Sequence, residues 1–438
     1  VRKADRARWD RTGDGAAEER PAGLAGQSWV VLAACVGAAS LIGFAIWRHV
    51  YGFSMVDMLV YRAEGAAVVH HQDLYAMRLP GWDLAATYPP FAAILFAPSS
   101  WLKAATLRIV VMLFNTALLA LTVHLSVKLA GWPRKRFHLA TVLLGTGLGV
   151  WLEPVWTTFQ YGQINLAILC LVLWDMTRPD RAPTKGVGIG LATAIKITPG
   201  LFVVYLLLTK RVRAALVAAG TFLGAGLIGV VALPSASWGF WTNYLWDSKR
   251  VGVVELVDNQ SVRGVVTRLM HTPGHPGTIA VVAAGLLGLF GVAVAVLAGR
   301  STRILRRAEA WGTVATALTA LLISPISWTH HWVWCVPLLV LLAAEARSWR
   351  TRTLFGVVLA VFLSYSMWLA PNQNGQGVPW SWQLPTSSYA PVAVAVLLHL
   401  GLKLRQARNR PTAEAADADL ILQQAGLESI DPPMTRQG

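Results

Sequence analysis

The sequence predicts an all-α polytopic membrane protein, on three observations. Of its 438 residues, 55% are hydrophobic and only 14% charged, with mean hydropathy +0.50, whereas soluble domains carry about 25% charged residues. Several apolar runs approach the roughly 20 residues that cross a bilayer. Lys and Arg gather in short clusters between those runs, as expected when cationic loops are retained in the cytoplasm. The net charge of +16 therefore reports orientation. With no aromatic-basic module present, no nucleic-acid partner is expected. Cys35, Cys170 and Cys335 lie in or against apolar runs, without metal-ligand or redox spacing.

Taken in order, residues 1–28, mixed in acidic and basic residues, read as a flexible cytoplasmic tail, without the compact basic start and small-residue cleavage site of a secretory signal. Residues 29–47 form the first span, and 51–88 a loop outside. The stretch 89–102 is too short to cross alone; 105–130 is long enough and runs inward to Lys128 and Arg134-Lys135-Arg136. Residues 139–152 go out, and 164–177 return to Arg178, Arg181 and Lys185. Residues 186–209 have cations at both ends, and Pro199-Gly200 breaks them. They read as a short re-entrant hairpin with Lys196 near its tip, facing a cavity, because irregular backbone at membrane depth needs protein or water around it. Spans at 212–233, 277–299, 309–324, 332–347, 352–370 and 386–402 follow, with outer loops at 234–276 and 371–385 and a cytoplasmic tail at 405–438. The count is about twelve membrane helices in a body from 29 to 404, with both termini in the cytoplasm. No internal repeat is evident, which disfavours a transporter built from inverted repeats.

The unusual polar residues fall on one side of this layout. Asp57 stands just beyond the first span, followed by Arg62, Glu64 and the Tyr88-Pro89-Pro90-Phe91 turn. Gln163 and Asn165 can bond sugar hydroxyls or cap the helix they precede. Asp258-Asn259-Gln260-Ser261-Val262-Arg263 is dense in donors and acceptors. Trp328, His330 and His331 lie at a junction of two spans, where ionisable groups are costly and seldom idle. Adjacent histidines on a helix point about 100° apart, so one can face a cavity while the other packs. With no third ligand nearby they make a poor zinc site, and the tryptophans suit either an interfacial belt or a stacking platform. Phosphate loop, HExxH, GxSxG and GxGxxG patterns are absent. Asp417-Ala418-Asp419 is set aside as a coincidence, because it falls in the cytoplasmic tail.

Asp57 within VDMLVY, YPPFA at 88–92, YGQIN at 161–165, KITP at 196–199, NQS at 259–261 with Arg263-Gly264, and SPISWTHHW at 324–332 recur in this order. The set resembles the actinobacterial polyprenol-phosphate-mannose-dependent α-(1→2)-mannosyltransferases, glycosyltransferase family 87, over roughly residues 50–345. The resemblance implies a GT-C glycosyltransferase fold, a metal-independent enzyme without cofactor, and Asp57 as catalytic base. It implies a polyprenyl-phosphate-mannose donor, with Lys196, Arg62, Arg263 and His331 toward its phosphate. A mannosylated glycolipid acceptor, phosphatidylinositol mannoside, would meet Gln163, Asn165, Asn259, Gln260, His330, Trp328 and Tyr88. The expected location is the cytoplasmic membrane, with the site on its outer face among membrane lipids. The alternatives are a lipomannan or lipoarabinomannan branching mannosyltransferase, a polyprenyl-phosphate-arabinose arabinofuranosyltransferase and, outside enzymes, a glycolipid flippase. Acceptor length, oligomeric state and protein partners are not legible. The layout predicts that a Cys at Ser237 is labelled from outside the cell and one at Ala182 only after permeabilisation; the opposite pattern contradicts it.

Overall fold

The computed structural model describes residues 22–271 and 277–409. Most of both predicted tails, the Asp417-Ala418-Asp419 triplet and positions 272–276 of the second large loop lie outside the described residues. The chain is helical almost throughout. Its one sheet among the described residues is a two-stranded hairpin, Arg78–Leu79 against Leu84–Ala85.

Among the described residues, five helices are long and apolar enough to cross a membrane: Gln27–Tyr51, Ala104–Ala130, Val212–Ala232, Gly277–Arg300 and Tyr389–Arg408. A sixth results if Lys135–Gly149 and Glu153–Tyr161, bent by 68°, are one span. Other expected spans fold as shorter helices, among them Asn165–Met176, Ala308–Ile323, Cys335–Glu345 and Trp349–Leu363. Helix Ala308–Ile323 is buried along nearly its whole length. Small residues make that possible: a Cβ on Gly291 of the neighbouring helix would meet Thr319 Oγ1 at 2.2 Å, and such close approach is how apolar helices associate without a hydrophobic drive.

Residues 186–209 begin and end beside one another. Helix Val187–Ile195 ends at Lys196, whose backbone is extended, and a 3₁₀ turn at Thr198–Gly200 leads into Leu201–Leu208. Pro199 cannot continue an α-helix, because it lacks the N–H. Lys185 and Arg211, which flank the hairpin, share Asp180 at 2.7 and 3.6 Å. At the same end Arg211 pairs with Glu309, while Glu345 takes both Arg307 (3.1 Å) and Lys403. Members of four predicted cationic clusters, Lys185, Arg211, Arg307 and Lys403, are thus ion-paired at one end of the bundle, and Lys196 stands at the far end of a nine-residue helix.

The predicted loops carry structure of their own. Residues 51–88 contain helix Val56–Val69. The 234–276 stretch contains Pro234–Gly239 and Val262–Leu269, and 371–385 leads into Trp380–Thr386. Ser237 is only 2% exposed, so exposed Lys249 in the same stretch is the better labelling position. Arg268 holds two of these stretches together. It is 1% exposed and donates to the carbonyls of Leu256 (2.7 Å), Asn259 (3.0 Å) and Thr386 (3.3 Å) and to Ser387 Oγ (2.9 Å). Removing it leaves buried carbonyls unpaired. Arg268→Leu should therefore lower stability by roughly 2–4 kcal/mol, seen as a fall in Tm of the purified protein; an unchanged Tm would show that these contacts do not hold the loops.

Candidate active site

Three local features converge on one cavity. The first is the start of helix Val56–Val69, preceded by Met55 in a left-handed conformation, which puts Asp57 in the first turn. The helix field there favours a negative charge. The second is the turn after Glu153–Tyr161. Gly162 has φ +69° and lies so close to Met58 that a Cβ would meet Met58 Cβ at 2.7 Å; only glycine satisfies both the left-handed backbone and the contact. That turn lays Gln163 alongside Asp57, and Gln163 Nε2 donates to Asp57 Oδ2 at 2.7 Å. The third is the break at Ser324-Pro325, after which a 3₁₀ segment, Thr329–Trp334, presents the two histidines.

The cavity encloses about 290 Å³, near the lower end of the roughly 300–1,000 Å³ of ligand pockets. Of the residues singled out from sequence, Asp57, Tyr88, Gln163, Lys196, Trp328, His330 and His331 line it. Gln163 Oε1 accepts from Tyr61 Oη (2.7 Å) and Asn165 Nδ2 (3.3 Å). Asn165 Oδ1 in turn lies 3.3 Å from Lys196 Nζ, which is 2.8 Å from His331 Nε2. An ammonium donor at that distance requires His331 Nε2 without a proton. The two histidine rings stand at 88° to each other. Both face the cavity, however, and neither ring nitrogen of buried His330 has a hydrogen-bond partner among the described residues. Asn165 lines an adjoining narrower void, with Lys196, Thr198, His331, Phe202 and Trp334.

Burial pushes the Asp57 carboxyl up to about 6, against the lowering effects of the Gln163 hydrogen bond and the Lys196 charge. It is thus largely ionised at neutral pH. Glu64, one turn behind Tyr61 and Val60, is fully buried, and burial pushes it up to about 8. Near pH 7 it is mostly protonated, so the two carboxyls carry different charge.

Four sequence-selected residues stand elsewhere. Asn259 and Gln260 are fully buried as braces. Asn259 binds Val254 O (2.7 Å) and the backbone N–H of Ser327 (2.9 Å), and pairs with Trp328 in an isolated bridge. Gln260 binds Val257 O, Thr386 O and the Tyr389 N–H at 2.6–3.1 Å. They hold the segment that carries Trp328 and do not reach the cavity. Arg62 Nε donates to Leu102 O (3.0 Å), anchoring the helix to the chain beyond Pro89-Pro90. The Arg263 guanidinium donates to Ser248 Oγ at 3.5 Å; Ser248 is a lining residue.

Arg250 is the lining cation that the sequence reading passed over. It donates to Ala86 O (2.9 Å) and to Tyr75 O, and stacks over Tyr244 at 4.6 Å. A signal existed, since Lys249-Arg250 is a basic pair within a stretch otherwise assigned to the outside. Among the described residues no group of three His, Cys, Asp or Glu is placed to hold a metal ion.

Comparison with known proteins finds a match between residues 86–325 and glycosyltransferase family 87. A polyprenol-phosphate-mannose-dependent alpha-(1-2)-phosphatidylinositol mannoside mannosyltransferase of Mycobacterium tuberculosis is 34% identical over 400 residues, covering 85% of this chain and 90% of its own. A polyprenol-phosphate-mannose-dependent alpha-(1-2)-phosphatidylinositol pentamannoside mannosyltransferase from another strain of that species is 32% identical, over 82% and 84% of the two chains. A Mycolicibacterium smegmatis protein bearing the first of these names is 32% identical, over 84% and 88%. No solved structure matches.

Proposed function

Because the chain belongs to glycosyltransferase family 87, we propose that it moves mannose from polyprenyl-phosphate-mannose to a phosphatidylinositol mannoside in α-(1→2) linkage. The names of these relatives support the donor and acceptor classes. The observation that carries the chemistry is one cavity with a hydrogen-bonded carboxylate on one wall and two cations, Lys196 and Arg250, on the others.

Transfer from a β-mannosyl phosphate to an α-linked product inverts the anomeric carbon once, so a single displacement suffices. One base must take the acceptor hydroxyl proton, on the same logic by which inverting glycosidases set a base opposite the leaving group. Asp57 is that base, and its elevated pKa brings it near the range useful at neutral pH. A phosphate ester leaves without a protonating acid, but its charge must be held. Lys196, kept in place by Asn165 and His331, and Arg250, fixed by two carbonyls, are placed to meet the negative charge that develops. The unpartnered nitrogens of His330 and the face of Trp328 are left for sugar hydroxyls and a sugar ring. Arg62 and Arg263, outside the lining, act as supports. The narrower void beyond Lys196, with Phe202 and Trp334 in its wall, lies where the first part of the prenyl chain would run.

The same reading takes the body of the chain as a GT-C fold of about twelve membrane helices, with residues 186–209 as a re-entrant hairpin. The ion-paired end lies in the cytoplasm and the cavity opens on the outer face of the cytoplasmic membrane, through the loops 51–88, 234–276 and 371–385. Positive-inside placement of the cationic end supports this orientation.

The test is transfer by purified protein, with labelled polyprenyl-phosphate-mannose and the arabinose analogue compared. Asp57→Asn keeps shape and removes basicity, so transfer should fall at least about a hundredfold, general-base help being worth roughly 10²–10⁴, with donor binding retained. Lys196→Ala should weaken donor binding and turnover together. Near wild-type transfer by a folded Asp57→Asn protein would move the base elsewhere, with His331 next in line; transfer of arabinose in preference to mannose would overturn the donor.

A further inference from the structure

A second cavity lies at the opposite, ion-paired end of the bundle. It encloses about 630 Å³ between the head of helix Val212–Ala232 and the end of Gly277–Arg300, and its charged lining is Asp180, Lys210, Arg211, Arg213 and Arg300. The ion pairing there is uneven. Arg211 is taken by Glu309 and Asp180, and Asp180 also serves Lys185. Lys210, Arg213 and Arg300 have no carboxylate partner among the described residues. Arg213 donates through one nitrogen to the carbonyls of Asp180 (2.7 Å) and Ala182 (2.9 Å), and Arg300 through one to Leu208 O. Those bonds orient the guanidinium groups and leave other N–H donors of each uncommitted. The Lys210 ammonium makes no hydrogen bond among the described residues.

Lys210 also occupies an expensive position. Its φ is +65°, at the turn where its N–H closes on Leu207 O and that of Arg211 on Leu206 O. Glycine is the usual residue at such a helix-ending position, so a lysine there places an ammonium at the cavity at the cost of backbone strain. Three cations without counter-charge in a concave site, beside the open N–H groups at the start of a 21-residue helix, form a receptor for an anion. We propose that this cavity binds a negatively charged phosphate group, supplied by the headgroup of an anionic phospholipid or by free phosphate. Basic pockets between membrane helices take lipid headgroups in this way. The site is separate from the Asp57 cavity, which does not share a residue with it.

The experiment titrates the full chain, in neutral detergent, with phosphatidylglycerol, with phosphatidylcholine and with inorganic phosphate, reading bound adducts by native mass spectrometry. Lys210→Gly removes one cation and relieves the left-handed strain, so it should fold at least as well as wild type. Lys210→Ala/Arg213→Ala/Arg300→Ala removes all three. We expect phosphatidylglycerol to be retained over phosphatidylcholine, about fivefold less by Lys210→Gly, from roughly one unit of surface-charge attraction, and still less by the triple variant. Retention of inorganic phosphate without lipid preference, again lost in the variants, upholds the phosphate site and identifies free phosphate as its source. Equal retention of both anions by wild type and Lys210→Gly, or no retention by either, overturns the proposal. Mannose transfer measured on the same preparations reports on the other cavity alone, so failure of one assignment is distinguishable from failure of the other.

Discussion

The side-chain amide of Gln163 has one donating and one accepting end, and both are committed inside the cavity. Its Nε2 fixes Asp57, while its Oε1 takes Tyr61 and Asn165. Asn165 then meets Lys196, and Lys196 meets His331. Helix Val56–Val69, the turn at Gly162, the hairpin tip and the 3₁₀ histidine segment are therefore oriented through a single connected set of hydrogen bonds. In a site of low dielectric such a set is rigid when fully satisfied and costly when broken. It keeps a carboxylate and an ammonium in one cavity without letting them collapse into a contact ion pair, and a substrate needs that gap.

The fold serves the same end. Apolar helices associate through small residues, as where Gly291 meets Thr319 and where Gly299 and Gly312 enclose the Tyr205 ring. Charge is confined to the two ends. At one end carboxylates at 180, 309 and 345 collect the arginines and lysines. At the other, short helices stop early and leave Lys196 and the histidines at a cavity wall. Breaking helices at Pro199 and Pro325 exposes backbone groups that a continuous span would satisfy; around Pro325 the bracing loop supplies partners, Ser261 Oγ donating to Pro325 O and Asn259 Oδ1 accepting from the Ser327 N–H.

Much of this was legible in the sequence, for identifiable reasons. Hydropathy and charge clustering reported the helical membrane character, because each acts over twenty residues at once. Pro199-Gly200 between two basic ends foretold a reversal with Lys196 at its tip. Asp57, Gln163, Lys196, His330 and His331 come together from four separated segments, in agreement with the ordered motifs that nominated them. What a linear reading lacks is side-chain direction. Asn259 and Gln260 have the chemistry of sugar ligands, yet their amides fill backbone vacancies around Ser327 and Tyr389. Arg62 points at Leu102, and Arg250 was concealed by its place in a long loop. Span counting by length also fails where a helix such as Ala308–Ile323 is buried by protein and need not match a bilayer.

The central claim is that Gln163 and Lys196 set the basicity of Asp57 against the effect of its burial. The direct measurement is the pH dependence of mannose transfer in wild type and Gln163→Met. With Asp57 as the proposed base its ionised form is the active one, so wild-type transfer should rise with pH through a midpoint near 6. Gln163→Met removes a hydrogen bond that stabilises the carboxylate, and the rising limb should move to higher pH. A rising limb at the same pH in both proteins, at undiminished rate, would contradict the account.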